Sequence, residues 1–177
     1  MVKLIRAAVL AVALALTACA ASVKKSNIDG APLTLAPEQS KRIVMYVTGS
    51  PEALANPEWQ RLGAEWRKSA GVVGGRMAIE FSVQDDASPR KEPGVLVTVD
   101  VKRFRFVAPG SRGALGIVAG NAFLDLEVKY ADLQTGAPLG VRKYDSRTKT
   151  SQGVFAAVTS KQVEAICDDI AHEVTQR

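Results

Sequence analysis

Few residues in this chain could carry acid–base, nucleophilic or metal chemistry. Its 177 residues include one histidine, His172, and two cysteines, Cys19 and Cys167. A zinc site of the usual kind needs several histidine and cysteine ligands, and a serine–histidine–acid triad would have to use His172. No serine lies in the G-x-S-x-G pattern of a nucleophile elbow. We therefore expect no catalytic residue, no metal and no cofactor, and a chain that is not an enzyme.

Two pairs of adjacent acids, Asp85-Asp86 and Asp168-Asp169, remain as candidates, because paired carboxylates carry out glycoside hydrolysis. The second pair falls in a segment with helical periodicity, where neighbouring side chains point about 100° apart and do not converge. His172 lies on the same polar face, in the last turn, where a cation is favourable. We interpret all five side chains as solvent-facing.

A basic and aromatic run, residues 102–107 (KRFRFV), is similar to the strand that RNA-recognition domains use. Those domains have small residues where Arg103 and Arg105 stand, and the small residues let bases stack closely. We therefore expect no nucleic-acid partner. The alternatives are a patch for an anionic lipid or protein partner, or an ordinary strand with solvated arginines. The candidate patch consists of Lys102, Arg103, Arg105 and, from the glycine-rich segment 110–116, Arg112.

The N-terminal stretch has the organisation of a secretory signal. Lys3 and Arg6 precede an apolar run over residues 7–16, and small residues follow it. Ten residues are too few to cross a bilayer, which needs about 20. Ordinary signal-peptidase cleavage is one reading, with Cys19 incidental.

The other reading rests on residues 16–19 (LTAC), which resemble the lipobox of bacterial lipoproteins. This resemblance implies cleavage before Cys19 and acylation of that cysteine, palmitate included. Ala20 stands where the aspartate of inner-membrane lipoproteins would be. The resemblance therefore implies an anchor in the outer membrane, with the protein on the periplasmic face.

Net charge and chain length limit the possible partners and the number of domains. The chain has a formal net charge of +5, and loss of the two basic leader residues would lower it to +3. A mildly basic domain is compatible with an anionic partner but does not require one. We divide the chain into a signal peptide (1–18), a lipidated cysteine with a tether (19–40) and one periplasmic domain (41–177), a length typical of a single domain.

The first half of the domain predicts a strand, a helix and two strands. The strand Arg42–Thr48 precedes a helix that starts at residues 56–58 (NPE) and that glycines end from Gly71 onward. Residues 76–83 alternate as a half-buried strand. Residues 95–107 form the longest strand, and a change of phase near Val101–Arg103 indicates either a β-bulge or a strand end that projects past the sheet.

The second half predicts a β-hairpin and a closing helix. Residues 122–130 and 139–145 alternate around a turn at residues 132–136. Thr159 and Gln162 have the spacing of a capping box, and the helix after them places Cys167 at the margin of its buried face. These elements predict an α+β fold, a mostly antiparallel five-stranded sheet with two helices packed on one face. The first strand–helix–strand unit could place its two strands in parallel by a crossover.

From Arg103 to its end, the chain resembles uncharacterised proteobacterial envelope lipoproteins. The features that carry the resemblance are the glycines 113, 116 and 120, the motif Asp132-x-x-Thr135-Gly136-x-x-Leu139, a loop with Gly153 and the closing helix. That family is similar to the N-terminal α/β domain of TolB-like periplasmic proteins. The resemblance implies a non-enzymatic adapter or assembly factor with an envelope protein, lipid or glycan as its partner. A lipid- or glycan-binding carrier is the alternative, and an envelope hydrolase is a third.

Overall fold

The computed structural model describes residues 24–27, 31–107, 122–147 and 159–176, in which one sheet carries two long helices on one face. The strands are β1 (Lys24–Asn27), β2 (Arg42–Gly49), β3 (Glu80–Gln84), β4 (Val95–Arg105), β5 (Phe123–Asp132) and β6 (Pro138–Arg147). The helices are α1 (Pro51–Leu54), α2 (Trp59–Met77) and α3 (Thr159–Thr175), with a 3-10 turn at Gln39–Lys41. The α+β class and the placement of both long helices on one face are confirmed.

The sheet is mixed, with the strand order β1-β6-β5-β4-β2-β3. Strand β2 pairs in parallel with both β3 and β4, and the other neighbours are antiparallel. The parallel pairing of β2 and β3 arises because α2 carries the chain from the end of β2 back to the start of β3. The described residues thus form six strands rather than the expected five, and parallel pairs form a larger part of the sheet than we expected.

The sixth strand comes from the segment that we expected to be a tether. Strand β1 pairs with β6 from Lys24 opposite Asp145 to Asn27 opposite Arg142. Further along, the Leu33 side chain is 2% exposed, and its carbonyl accepts a hydrogen bond of 2.7 Å from Gln176 Nε2. The described part of this segment is therefore packed on the domain. Its sequence shows no periodicity because few of its side chains enter the core.

The core lies between the helices and one face of the sheet. Both helices contribute fully buried side chains, including Trp66 and Ile166, and α2 and α3 also contact each other. Cys167 is 0% exposed within this core, so it lies deeper than the margin of the helix face where we expected it. On the opposite face, a small cluster of Val44, Leu96 and Leu133 is the one buried apolar group among the described residues. Within that part of the chain the helices cover one side of the sheet, and the strand residues on the other side are mostly charged and polar.

The predicted β-bulge is present. The register of β4 against β5 shifts between Val101 and Arg103. As a result Phe104 joins the helix-facing core at 7% exposure, and its ring lies 6.1 Å from that of Trp59. Arg103 pairs with Asp125 in the register of the open face. The bulge thus sends the aromatic residues inward and the arginines outward.

Helix α2 does not end at Gly71. It continues to Met77 and terminates at Ala78, which has a φ of 54° and donates its backbone N–H to Gly74 O. Strand β3 consequently starts at Glu80 rather than Arg76. Gly74 is buried against the start of that strand. This glycine permits close helix–strand packing, which outweighs its low helix propensity.

The hairpin β5–β6 is confirmed, with Asp132 Oδ1 accepting hydrogen bonds from the N–H groups of Gln134 and Thr135. The predicted capping box at the start of α3 is not formed. Thr159 Oγ1 instead accepts a 2.8 Å hydrogen bond from Val107 N, and Gln162 Nε2 donates to the carbonyls of Ala122 and Ser146. These two polar side chains are fully buried and fasten α3 to the strand ends.

Gly74→Ala tests the packing role of this glycine. A Cβ at this position would lie 3.0 Å from Phe81 Cβ and 3.1 Å from Ile79 O, so the helix and strand would have to separate. We expect the variant to be less stable than Gly71→Ala by about 1–3 kcal/mol in urea unfolding. Gly71→Ala is the matched control, because its Cβ meets nothing within 4 Å and alanine improves helix propensity. Equal stability of the two variants would contradict the packing role.

Candidate functional site

A cleft lies where the carboxyl ends of β2 and β3 meet the first turns of α2. It has a volume of about 370 Å³, within the range of small-molecule sites. Ligands of open α/β sheets bind in the crevice outside the carboxyl ends of parallel strands. The cleft is lined by Tyr46, Val47 and Thr48 of β2, Leu54 of α1, Trp59, Gln60, Gly63 and Arg67 of α2, and Val83, Gln84 and Asp85 at the end of β3. We call these residues the cleft.

Several cleft side chains have unused hydrogen-bonding capacity. The hydroxyls of Tyr46 and Thr48 and the amide of Gln60 make no side-chain hydrogen bond to any residue that the structure describes. Leu54 is 47% exposed, and Trp59 is half-buried beside it. The cleft therefore offers aromatic and aliphatic surface together with hydroxyl and amide groups that a ligand could engage.

Charged groups lie at one rim of the cleft. Arg67 Nη2 and Asp85 Oδ1 form an ion pair of 3.0 Å, in which both side chains are exposed. Gln84 Oε1 accepts a hydrogen bond of 3.1 Å from Arg90 Nε, which fixes the orientation of its amide group. An exposed ion pair contributes little to stability and can exchange partners with a ligand at small cost.

The candidate anionic-partner patch is partly neutralised by neighbouring acids. Lys102 is hydrogen-bonded to Asp100, which raises the pKa of the lysine, and Arg103 Nη2 lies 3.0 Å from Asp125 Oδ2. The Arg105 guanidinium lies 5.8 Å from the centre of the Phe123 ring. The fourth member of the patch, Arg112, and the expected lipidation site, Cys19, lie outside the described residues.

The other candidate residues do not come together. Asp168 pairs with Arg76, whereas Asp169 Oδ2 accepts a 2.8 Å hydrogen bond from Tyr144 and lies 3.1 Å from Lys25 Nζ. Asp85 pairs with Arg67 and Asp86 with Arg90, and His172 is exposed on α3. Burial raises the pKa of the Cys167 thiol, so this cysteine stays protonated. Within the described ranges no group of histidine, cysteine and acidic residues could hold a metal ion.

In the same part of the chain, none of the helices is long and apolar enough to cross a membrane. No family model and no curated protein matches the chain. Several solved structures, including the following two, have partial likeness to it. A PelC dodecamer from Paraburkholderia phytofirmans has 10% identity and a TM-score of 0.49, covering 88% of this chain and 98% of PelC. A DUF330 protein from Xanthomonas campestris has 11% identity and a TM-score of 0.45, covering 86% and 90% of the two chains.

Likenesses at this level assign neither a family nor an activity. The resemblance to envelope lipoproteins with a TolB-like domain stays a prediction.

Sequence reasoning missed the cleft. The signal that could have indicated it is the strand–helix–strand unit, because a parallel pair brings two carboxyl ends to one edge. Polar residues at those ends, Thr48 and Gln84, would then have been candidates. The contribution of Trp59 depends on the exact start of α2, which falls after the predicted residues 56–58.

Proposed function

We propose that this chain is an outer-membrane-anchored periplasmic lipoprotein that acts as a non-enzymatic adapter or assembly factor, and that it binds another envelope component through the cleft. The observation that supports binding is the cleft itself, which is open and in which the side chains of Tyr46, Thr48 and Gln60 have no hydrogen-bond partner among the described residues. Its polar groups are hydroxyls, amides and one exposed ion pair, the groups that orient a bound partner. Lipidation of Cys19 would place this site in the envelope.

The anchor is tested by Cys19→Ser. Because a serine cannot receive the thioether-linked lipid, we expect the variant to lose incorporation of labelled palmitate and to leave the membrane fraction. Ser22→Ala, three residues away, is the control and should label like the parent chain. Continued labelling of the Cys19→Ser chain would show that the lipidation site is wrong.

The binding role is tested by filling the cleft. Gly63 lines it, and a Cβ there meets only Arg67 Nη1, at 3.7 Å, so Gly63→Gln can extend a side chain into the space without disturbing the backbone. Gly71→Gln places the same residue on an exposed position of the same helix and is the matched control. We expect crosslinking in intact cells to capture one envelope protein with the parent chain and Gly71→Gln, and at least tenfold less with Gly63→Gln.

If both variants capture the same protein at the parent level, the cleft is not part of the binding site. If no protein is captured at native expression in the parent chain, the adapter role itself is wrong.

A glycan-binding carrier is the second candidate, and the lining of the cleft favours it over a lipid carrier. An acyl chain needs a continuous apolar tunnel, whereas this cleft places Trp59 and Tyr46 beside Thr48, Gln60 and Gln84. An indole offers an apolar face to the C–H groups of a sugar ring, and the hydroxyl and amide groups can bind its hydroxyls. The volume of about 370 Å³ accommodates a short oligosaccharide rather than a long lipid.

Tryptophan fluorescence distinguishes this candidate, because the chain has only two tryptophans. Trp59 lines the cleft and Trp66 is 0% exposed in the core. If soluble peptidoglycan fragments or lipopolysaccharide core oligosaccharides bind, we expect a saturable emission change that Trp59→Phe abolishes and Trp66→Phe retains. A change that depends on Trp66 instead, or no change at millimolar sugar, would exclude the carrier role for these glycans.

A further inference from the structure

The sheet register brings the start of β1 to the same end of the sheet as the basic residues of β4. Lys24 lies opposite Asp145, which lies opposite Asp125, which lies opposite Arg103, so the four residues form one row across four strands. Beyond this row β4 continues to Arg105. We call this the anchor end, formed by Lys24, Asp100, Lys102, Arg103, Arg105, Phe123, Asp125 and Asp145.

The inference rests on the proposed lipidation of Cys19. Lys24 follows Cys19 by five positions, and an extended chain covers at most about 3.6 Å per position, or about 18 Å in all. Strand β4 alone is 11 residues long, so the two ends of the sheet lie about 35 Å apart. The short connection therefore keeps the anchor end close to the headgroups.

The charges of the anchor end suit an anionic membrane. Lys102 and Arg103 are paired with Asp100 and Asp125, but they stay 45% and 60% exposed. Lys24 is exposed, and neither it nor Arg105 has a carboxylate partner within the described part of the chain. The anchor end as defined has four basic and three acidic residues, and Glu52 lies beside it. Any attraction to an anionic surface therefore comes from its exposed and unpaired cations rather than from a large surplus of positive charge. Basic residues near an anionic bilayer are attracted to it within about a Debye length of its surface.

Shape and apolar surface at the anchor end also suit headgroups. A depression of about 240 Å³ lies between the end of β4 and α1, lined by Lys102, Arg103, Phe104, Phe123, Asn56, Ala53 and Glu52. Its ammonium, guanidinium and amide groups can donate hydrogen bonds to a phosphate. Glu52 is the one negatively charged residue in its lining. The stacked pair of Arg105 and Phe123 combines a charged tip with an apolar body, as residues at membrane interfaces do.

We propose that the anchor end of the sheet lies on the anionic headgroups of the membrane that holds Cys19, with Lys102, Arg103 and Arg105 as the contacting cations. The opposite end, with the hairpin turn at residues 132–136, then points away from the bilayer. Anionic lipid is favoured over a protein partner because this end is the part of the domain that the short connection keeps near the bilayer.

The orientation can be measured with one fluorescent probe at each end of the sheet in the lipidated protein. Leu54, at the rim of the cleft and at the same end of the sheet as the anchor end, and Ala137, directly after the opposite turn, are both exposed, and replacing either with cysteine leaves the charge unchanged. Cys167 is fully buried and Cys19 acylated, so one thiol in each variant is available for labelling. The vesicles contain phosphatidylethanolamine and phosphatidylglycerol, with a nitroxide quencher on the headgroup.

We expect at least threefold stronger quenching of the Leu54→Cys probe than of the Ala137→Cys probe. The difference should shrink in about 0.5 M salt, because salt screens surface charges, and in vesicles without phosphatidylglycerol. It should shrink with Arg105→Glu but not with Lys91→Glu, a matched charge reversal on an exposed lysine near the opposite end.

Equal quenching of the two probes on vesicle-bound protein would overturn the orientation while leaving the anchor in place. If the difference in quenching does not change with lipid charge or with Arg105→Glu, the proposed recognition of anionic headgroups is wrong. Loss of vesicle binding in Cys19→Ser, with binding kept in the acylated parent chain, is the result that the proposed anchor requires. A parent chain that carries no acyl group when purified from the membrane would overturn the proposed anchor and, with it, this inference.

Discussion

A buried guanidinium, that of Arg142, holds the N-terminal segment, the sheet and the last helix together. Its side chain is 1% exposed, and its Nε donates to Glu173 Oε1 at 2.7 Å, its Nη2 to Ala31 O at 2.8 Å and its Nη1 to Val141 O at 3.0 Å. Removing one partner of such a buried pair costs about 3–5 kcal/mol, because the other charge is left uncompensated. That is a large fraction of the stability of a typical domain.

The same network determines where the domain begins. Lys25 of β1 lies 3.1 Å from both Asp169 and Glu173, and Tyr144 donates to Asp169. Burial raises the pKa of the Tyr144 hydroxyl, which therefore stays protonated and keeps its donor role. Residues that would otherwise be a flexible linker are in this way fastened to α3. A long, loose tether would let a domain rotate freely above a membrane, whereas an anchor at Cys19 would leave only four residues before Lys24 and would restrict that rotation.

The sequence predicts most elements because hydrophobic periodicity and turn chemistry are local. The bulge at Val101–Arg103 and the turn at Asp132–Gly136 are readable from a change of phase and from residue type. Strand β1 is not readable, since its pairing depends on β6 and on Arg142, more than 100 residues away. The predicted end of α2 was wrong because Gly74 permits close contact with Phe81 of β3, and a local sequence pattern does not reveal such a contact.

The candidate site was missed for the same physical reason, since tertiary pairing creates it. The residues of the cleft come from β2, α1, α2 and β3, and only a parallel crossover gathers them. The basic residues of β4 were visible as a pattern, but their pairing with Asp100 and Asp125 was not, because those acids are brought close by the bulge and by β5.

The parallel crossover also relates the cleft to the anchor end. Because β2, β3 and β4 run in the same direction, the carboxyl ends that form the cleft lie at the end of the sheet where β1 starts. Five strand spacings of about 4.8 Å separate β1 from β3, or about 24 Å across the sheet. An acylated Cys19 would therefore hold the cleft near the membrane plane, displaced sideways from the lipid. A partner that reaches this cleft has to lie at the membrane surface or approach along it.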